Sequence, residues 1–339
     1  MIIALTYDLR DDYLAEGFSA EESAEFDSKE TIIAIETTLI SLGFTVERLG
    51  NIKALVKALA AEQHKNWDIV FNICEGVTGI GRESQVPCLL EAYNIPYVFS
   101  TPEVMALTMD KAITKQILQN AEINTPPFMV VKTMTDLSKF NQYHLKFPLF
   151  AKPIAEGTGK GIDTHSKIAT LTELNERCSY LLEKYKQPVL VEQYLAGRDL
   201  TVGIVGNGDN AKALAVLETI YKDNAQSRNQ TFYNKENCEQ VLEYVITNDA
   251  TAQKAAEIAL KCWQVLGCRD AGRIDFRCDE NDNPYFLEIN PLAGLHPTHS
   301  DLPILATQAG IAYKELIKQI IDSALTRNNL LSNSHSKVA

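Results

Sequence analysis

The sequence predicts an α/β chain, with a doubly wound parallel sheet first and α+β lobes after it. Three observations carry this expectation. Strand-like and helix-like runs alternate from Ile2 to Phe99, the pattern of a parallel sheet with crossover helices. The rhythm changes at Thr101, after which strands and helices cluster. Near the C-terminus, two strand-like runs flank the turn-rich stretch Cys278 to Pro284 and read as an antiparallel hairpin.

In the first part, Ile2–Tyr7 reads as a strand and Ala24–Leu42 as a helix with apolar positions at helical spacing. Phe44–Arg48 is a second strand, Ile52–Glu62 a helix, and Trp67–Ile73 a third strand. Arg82–Tyr93 is helical, and Pro96–Phe99 is a fourth, short strand. Such a sheet binds ligands beyond the carboxyl ends of its strands, which puts Tyr7 to Arg10 and Cys74 to Arg82 at the rim of a cleft. Neither segment contains GxGxxG, which argues against a dinucleotide site.

Beyond Thr101, Asp110–Gln119 is helical, and Asn124-Thr125-Pro126-Pro127 ends it and starts the strand Phe128–Lys132. Phe147–Lys152 is a strand and Leu171–Tyr185 a helix; Val189–Gln193, Thr201–Gly206 and Ala211–Glu218 are three further strands. In Thr251–Leu266, Ala252, Ala255, Ala256, Ala259, Leu260 and Trp263 follow the spacing of an amphipathic helix. Arg269–Arg277 and Tyr285–Asn290 are the hairpin strands, and the polar residues 328–339 are expected to fray.

A length of 339 residues fits two to three lobes, and 45% apolar content supports a sizeable core. The net charge of −12, with no Lys/Arg block, argues against nucleic acid as a partner. Apolar runs such as Ile2 to Leu5 are too short to span a bilayer. The chain runs from there into Asp8-Leu9-Arg10-Asp11-Asp12 without a basic segment or cleavage site, so no export signal is expected. Seven cysteines with no CxxC fit buried thiols in a reducing cytoplasm rather than disulfides or structural zinc.

The most informative segment is the hairpin. Paired so that Arg273 faces Asn290, Ile274 faces Ile289, Asp275 faces Glu288 and Phe276 faces Leu287, it gathers Arg273, Asp275, Glu288 and Asn290 on one surface. Two opposed carboxylates repel each other unless something cationic lies between them. Carboxylate and amide oxygens are the hard ligands Mg²⁺ prefers. A solvated hairpin with one wet polar face is the other reading of the pattern.

A second segment, Pro153 to Gly161, holds three glycines, Thr158 and Lys160, and can bring backbone N–H groups close to phosphate oxygens. It is not a Walker A loop, because Ile154 and Gly161 stand where that pattern needs Gly and Ser/Thr. Taken alone it is equally a flexible hairpin; Lys152, at the end of the preceding strand, favours a phosphate under the flap. In a third segment, the strand end Glu192 to Leu195 can offer backbone groups to an adenine edge and Asp199 can accept from ribose hydroxyls, or both can be a plain strand end and a solvated turn.

Lys152-Pro153 before a glycine flap, Glu192 and Asp199 around a turn, then Arg273-Ile274-Asp275 and Glu288-Ile289-Asn290 resemble, in that order, the ATP-grasp superfamily. Within it the chain resembles the D-alanine–D-alanine ligase group, with Met109-Asp110-Lys111, Leu266-Gly267-Cys268 and Leu287-Glu288-Ile289-Asn290-Pro291 in support. The likeness runs from about Pro96 to Leu325 and more loosely before that. It implies an ATP-grasp fold with a Rossmann-like N-terminal substrate lobe at 1–103, a central lobe with the flap at 104–186, a C-terminal lobe with the metal site at 187–327 and a disordered tail at 328–339.

The resemblance implies an ATP- and Mg²⁺-dependent, ADP-forming ligase that joins the carboxylate of one amino acid to the amine of another through an acyl phosphate. Lys111 and Lys152 would contact the ATP phosphates, under a flap of Glu156, Gly157, Thr158, Gly159 and Gly161. Glu192, Leu195 and Leu287 would meet the adenine side and Asp199 the ribose. Lys235 would be a further phosphate-side lysine, with Lys222 as its rival. Asp275, Glu288 and Asn290 would hold two Mg²⁺ ions, for which Mn²⁺ can substitute. Arg273 would stabilise charge on the transferring phosphoryl group, and Gly294 would offer its N–H. Small amino-acid or peptide-like substrates and a homodimer are also implied.

The departures bear on substrate. The family's His-Gly pairs are replaced by Thr6-Tyr7-Asp8-Leu9-Arg10 and by Cys74-Glu75-Gly76 up to Gly81-Arg82-Glu83, and the loop Pro291 to Ser300 is one residue longer. Glu75, Arg82 and Ser300 are the substrate-contact candidates; a helix-start ion pair is the other reading of Glu75, Arg82 and Glu83. Rival readings of the whole are a ligase for a different amino acid and a natural-product or peptide acceptor, a kinase-like enzyme, and a nucleotide-binding regulatory homologue without turnover.

Overall fold

The computed structural model describes residues 1–331; of the stretch 328–339 expected to fray, 332–339 lies outside the described residues, whereas Asn328 and Leu330 are held by N–H bonds to Ala324 O and Leu325 O and Leu330 packs on the core. The elements begin with β1 (Ile2–Tyr7), α1 (Arg10–Ala15), α2 (Lys29–Ser41), β2 (Thr45–Gly50), α3 (Ile52–Ala60), β3 (Ile69–Ile73) and α4 (Gln85–Ala92). There follow α5 (Pro102–Met109), α6 (Lys111–Asn120), β4 (Phe128–Val131), β5 (Leu149–Pro153), β6 (Lys167–Ile168), α7 (Leu171–Tyr185) and β7 (Val189–Gln193). The chain continues through β8 (Asp199–Val205), β9 (Lys212–Tyr221), α8 (Phe232–Glu236), α9 (Cys238–Val241), β10 (Leu242–Thr247) and α10 (Ala250–Leu266). It ends with β11 (Ala271–Cys278), β12 (Pro284–Asn290), α11 (Asp301–Gln308) and α12 (Tyr313–Arg327).

Three sheets result: a parallel β2-β1-β3 sheet, an antiparallel β4-β7-β5-β6 sheet and an antiparallel β10-β9-β8-β11-β12 sheet. The last carries the predicted hairpin between β11 and β12. Polar side chains start the helices by taking otherwise orphaned N–H groups: Asn51 at α3, Asp110 at α6, Thr170 at α7 and Asp249 at α10. Gly267 ends α10 in the left-handed conformation that glycine adopts without strain.

The structure corrects several expectations. Ala24–Leu42 is not one helix: α2 begins at Lys29, where the Ser28 hydroxyl accepts from Thr31 N–H. The residues before it are drawn instead onto β1's end, with Asp27 N–H bonded to Asp8 O and Arg10 N–H to Asp27 O. Pro96–Phe99 contributes only a bridge between Tyr97 and Val70, because Phe99 turns away with φ 79° and gives its N–H to Asp270. Arg82–Ser84 is a 3-10 turn before α4, and α5 is a helix that the sequence pattern does not announce. In the hairpin, Phe276 faces Phe286 rather than Leu287, since the register shifts after Asp275. Of the cysteines, Cys88 is exposed and the other six are buried, all as free thiols. Among the described residues no helix is long and apolar enough to cross a membrane.

Two segments also leave the lobes expected for them. Val189–Gln193, expected in the C-terminal lobe, is hydrogen-bonded between β4 and β5, because the backbone N–H and C=O groups of a buried strand need a partner strand on each side. Val104 and Leu118, from α5 and α6, pack into the core of the β8–β11–β12 sheet around Trp263 and Phe276.

Packing ties the ends of the chain together. Leu316, Ile317, Ile320 and Ile321 of α12 share a core with Ile3, Leu5 and Phe71 of the parallel sheet. Asp270, fully buried, links the same parts: it accepts from Phe99 N–H at 2.8 Å, Ser323 Oγ at 3.1 Å and Arg327 Nη2 at 2.7 Å. Removing one partner of such a pair strands the other charge. Asp270→Ala is therefore expected to lower the unfolding free energy by about 3 kcal/mol or more in a denaturant titration. An effect within about 0.5 kcal/mol would contradict this role.

Candidate active site

The register of β11 and β12 fixes the centre of the site. Asp275 lies opposite Glu288 and Arg273 opposite Asn290, so all four side chains share one face, as the alternation requires. The bulge after Asp275 adds Leu287 to that face; it joins Asp275 and Glu288 in the wall of a cleft of about 920 Å³. A second cavity of about 1130 Å³ adjoins it and shares Thr158, Lys235 and Arg273 with it.

Three lysines neutralise the carboxylates. Lys111 Nζ lies 3.6 Å and Lys152 Nζ 3.7 Å from Glu288 Oε2. Lys152 also lies 3.3 Å from Glu192 Oε1, and Lys115 Nζ 3.0 Å from Glu192 Oε2. Lys115 is fully buried and gives a further hydrogen bond to Phe286 O at 3.2 Å. Burial lowers its ammonium to about 8 against the pull of Glu192. Burial works against ionised Glu288 too, but Lys111, Lys152 and Arg273 outweigh it and hold that carboxyl down at about 2. Asp275 moves the other way, raised by burial and by the charge on Glu288 despite Arg273 beside it.

These oxygens suit a hard cation. Among the described residues no group of three or more His, Cys, Asp and Glu side chains forms a metal site unaided. The set here is two facing carboxylates with the Asn290 amide, whose Nδ2 lies 3.3 Å from Asp275 Oδ2. Rotating that amide would present its oxygen, completing the donor type Mg²⁺ prefers.

Most expected nucleotide-side residues meet in the first cleft: Lys111, Lys152, Glu156, Thr158 and Gly159 on one wall, Glu192, Leu195 and Asp199 along the strand end, and Lys235 and Arg273 opposite. Asp199 is not a free acceptor, because it is held by Arg277 Nη1 at 3.1 Å and by the Tyr221 hydroxyl. Lys235 lies 2.8 Å from Asp301 between the two cavities, whereas Lys222 is exposed outside both and reaches Gln240 O. Gly157, Glu75, Asn290, Gly294 and Ser300 line the second cavity. Ser300 Oγ accepts from His296 N–H at 3.1 Å and leaves no room for a side chain at Gly294, where a Cβ would come within 2.7 Å of it. Arg82 lines neither cavity, and its ion-pair partner is Glu25 at 2.7 Å rather than Glu75 or Glu83.

The flap is closed. Gly161 has φ 73° and a Cβ there would meet Pro153 Cγ at 2.5 Å; at Gly159 one would meet Gln230 O at 2.7 Å. Only glycine permits both the turn and that approach. Glu25, from the segment before α2, accepts Gly157 N–H at 2.6 Å and lies 3.1 Å from Lys160 Nζ. Arg82 and Lys160 keep its carboxyl low despite burial.

Three residues of the site do not stand out in the sequence. Lys115 has a local signal, since it follows Lys111 by one helical turn. Asp301 adjoins the candidate Ser300. Glu25 has none, because it falls inside a stretch that reads as helix.

Two outcomes follow from these charges. Lys115→Met leaves buried Glu192 with Lys152 alone and is expected to cost about 3 kcal/mol of stability in a denaturant titration; an unchanged midpoint would count against the pairing. Glu288, with its folded value depressed from 4.5 to about 2, contributes stability above pH 4.5 that is lost as pH falls toward 2. The stability gap between the unmodified protein and Glu288→Gln should thus shrink over that window and stay level above it.

A family model described as D-ala D-ala ligase C-terminus matches residues 117–322. The chain is similar to D-alanine–D-alanine ligase of Bordetella petrii, with 30% identity over 308 residues, 91% of this chain and 90% of that one. The fold is similar to that of D-alanine–D-alanine ligase from Bacillus anthracis in complex with ATP, at TM-score 0.74 and 22% identity, covering 97% of this chain and 99% of that one. It is also similar to a D-Ala:D-Ser ligase from Enterococcus faecalis, at TM-score 0.72 and 18% identity, covering 95% and 99%. The cleft with its facing carboxylates thus sits in an ATP-grasp enzyme, and the chain belongs to the D-alanine–D-alanine ligase family of ATP-dependent, ADP-forming ligases.

Proposed function

We propose that this ligase activates the carboxylate of one amino acid in the second cavity with ATP held in the first, and joins it to the amine of another. The observation that carries the reading is the convergence of Lys111, Lys152, Asp275 and Glu288 in the first cleft, which shares Lys235 and Arg273 with the second cavity. In the first step a carboxylate oxygen attacks the γ-phosphorus and ADP leaves. In the second the amine attacks the carbonyl carbon, phosphate leaves, and the nitrogen gives up a proton.

Each residue group has a share in this. Lys111 and Lys152, now on Glu288, would turn to the phosphates. Asp275, Glu288 and Asn290 would hold Mg²⁺, one or two ions, which supplies charge neutralisation for the phosphates. Arg273, half-buried at the junction of the cavities, would balance charge on the transferring group, and Gly294 would give its N–H to the reacting carbonyl. Leu195 and Leu287 would meet the adenine. Glu75 and Ser300 would contact the amino acids, while Arg82 would act through Glu25 and the flap. The closed flap would keep water from the acyl phosphate. We place the substrate lobe on the parallel sheet and the ATP-grasp between the two antiparallel sheets.

Phosphate release with Mg·ATP and paired D- or L-amino acids tests this. A ligase releases phosphate only with both partners present and accumulates the dipeptide; release without an amide product would overturn the reading. Arg273→Met is expected to lower kcat by about 10²-fold or more at unchanged secondary structure.

A further inference from the structure

The first cleft contains an arginine that the reaction as described leaves unused. Arg277 is 7% exposed and Asp199 6%, yet both line that cleft. Along β11 the side chains of Arg273, Asp275 and Arg277 alternate onto one face, and Thr201 and Asp199 of β8 stand opposite Asp275 and Arg277. Two residues along a strand span about 7 Å. The Asp199–Arg277 pair therefore lies one such step from the metal-type carboxylate Asp275, beside Leu195 just beyond the end of β7.

Arg277 directs its donors to three acceptors on different segments. Nε gives a hydrogen bond to Leu195 O at 3.2 Å, Nη1 to Asp199 Oδ2 at 3.1 Å and Nη2 to Arg228 O at 2.9 Å. Arg228 lies in the connection between β9 and α8. Two residues on, Gln230 O backs the flap, where a Cβ on Gly159 would come within 2.7 Å of it. The Tyr221 hydroxyl also donates to Asp199, and to the same oxygen, Oδ2. Both bonds thus fall on one oxygen, and no hydrogen bond among the described residues reaches Oδ1. A buried carboxylate held through one oxygen keeps the other as an acceptor, and a ligand donor there replaces the water that burial removed.

Resting on the reading that ATP occupies the first cleft, we infer that Arg277 is a positioning residue for the nucleotide's sugar. It holds Asp199 through Oδ2 so that Oδ1 accepts from a ribose hydroxyl, and it fixes Leu195 O and the Arg228 segment around the same place. With the triphosphate at Lys111, Lys152 and the facing carboxylates, and the base at the strand end, the sugar falls at this rung of the sheet. Arg277 itself stays off the reacting atoms. The role needs the fork of a guanidinium: a lysine keeps a charge beside Asp199 but cannot hold three acceptors in fixed directions. That separates it from plain charge compensation, which either cation supplies.

The test is calorimetric titration of the full chain, in Mg²⁺, with ATP, 2′-deoxyATP and 3′-deoxyATP. For the unmodified protein, Kd is expected to be at least about tenfold higher for one of the deoxynucleotides than for ATP. Arg277→Lys, which keeps a cation beside Asp199, should fold, weaken ATP by about fivefold or more and bring the three nucleotides to within about twofold of one another. Arg277→Met should lose the same discrimination if it folds. If the unmodified protein binds all three nucleotides equally, there is no ribose acceptor and the inference falls. If folded Arg277→Lys keeps the discrimination, or if neither variant folds, Arg277 only compensates charge and the inference falls as well. If ATP does not bind, the placement of ATP in the cleft fails and takes the inference with it. If ATP binds with the expected ratios but no amino-acid pair yields an amide, the inference stands and the ligase reading alone fails.

Discussion

Asp275 and Glu288 are forced together by the hydrogen-bond register of β11 and β12, and much of the surrounding structure answers that repulsion. Their backbone positions are set by a sheet whose other face is packed with Ile274, Phe276 and Ile289, so neither carboxylate can retreat without breaking the core. Relief has to come from cations brought in from elsewhere. Lys111 comes from the start of α6, Lys152 from β5 and Arg273 from two residues along the same strand. Two sheets and a helix therefore meet at one charge cluster because a single strand pairing created the need for it.

The same logic extends inward. Lys152 serves Glu192 as well as Glu288, and Lys115 completes the pair from below. Buried charges in a chain of alternating sign stabilise each other only while every member is present. The arrangement is stiff where it is fully paired, and in the mechanism we propose phosphates would take Lys111 and Lys152 and leave Glu288 free for a divalent ion. Around this centre the lobes are latched by acids from the segment before α2. Glu25 holds the flap, and Glu21 accepts from Lys184 and Tyr185.

The hairpin is legible in the residues themselves because strand alternation is strict: Arg273, Asp275, Glu288 and Asn290 fall on one face in any regular pairing. The bulge is not, since nothing in the residues from Asp275 to Phe286 marks where the ladder slips, and regular pairing therefore puts Leu287 on the wrong side. Nor is the start of α2, because Ala24 to Asp27 has helix-compatible composition; the chain turns there instead, and Asp27 is held to Asp8 and Arg10 through the backbone.

Local spacing thus determined the parallel sheet, the glycine flap, the metal-type oxygens and the order of motifs that resembles the ligase family, because each depends on neighbours a few residues apart. Which charges are spent and which are spare was decided only in three dimensions. Arg82 pairs with Glu25 rather than with Glu75, Asp301 occupies Lys235, and Asp199 is held by Arg277 across the sheet. Those partners lie tens of residues apart, and an ion pair is fixed by distance and burial, which a linear spacing does not encode.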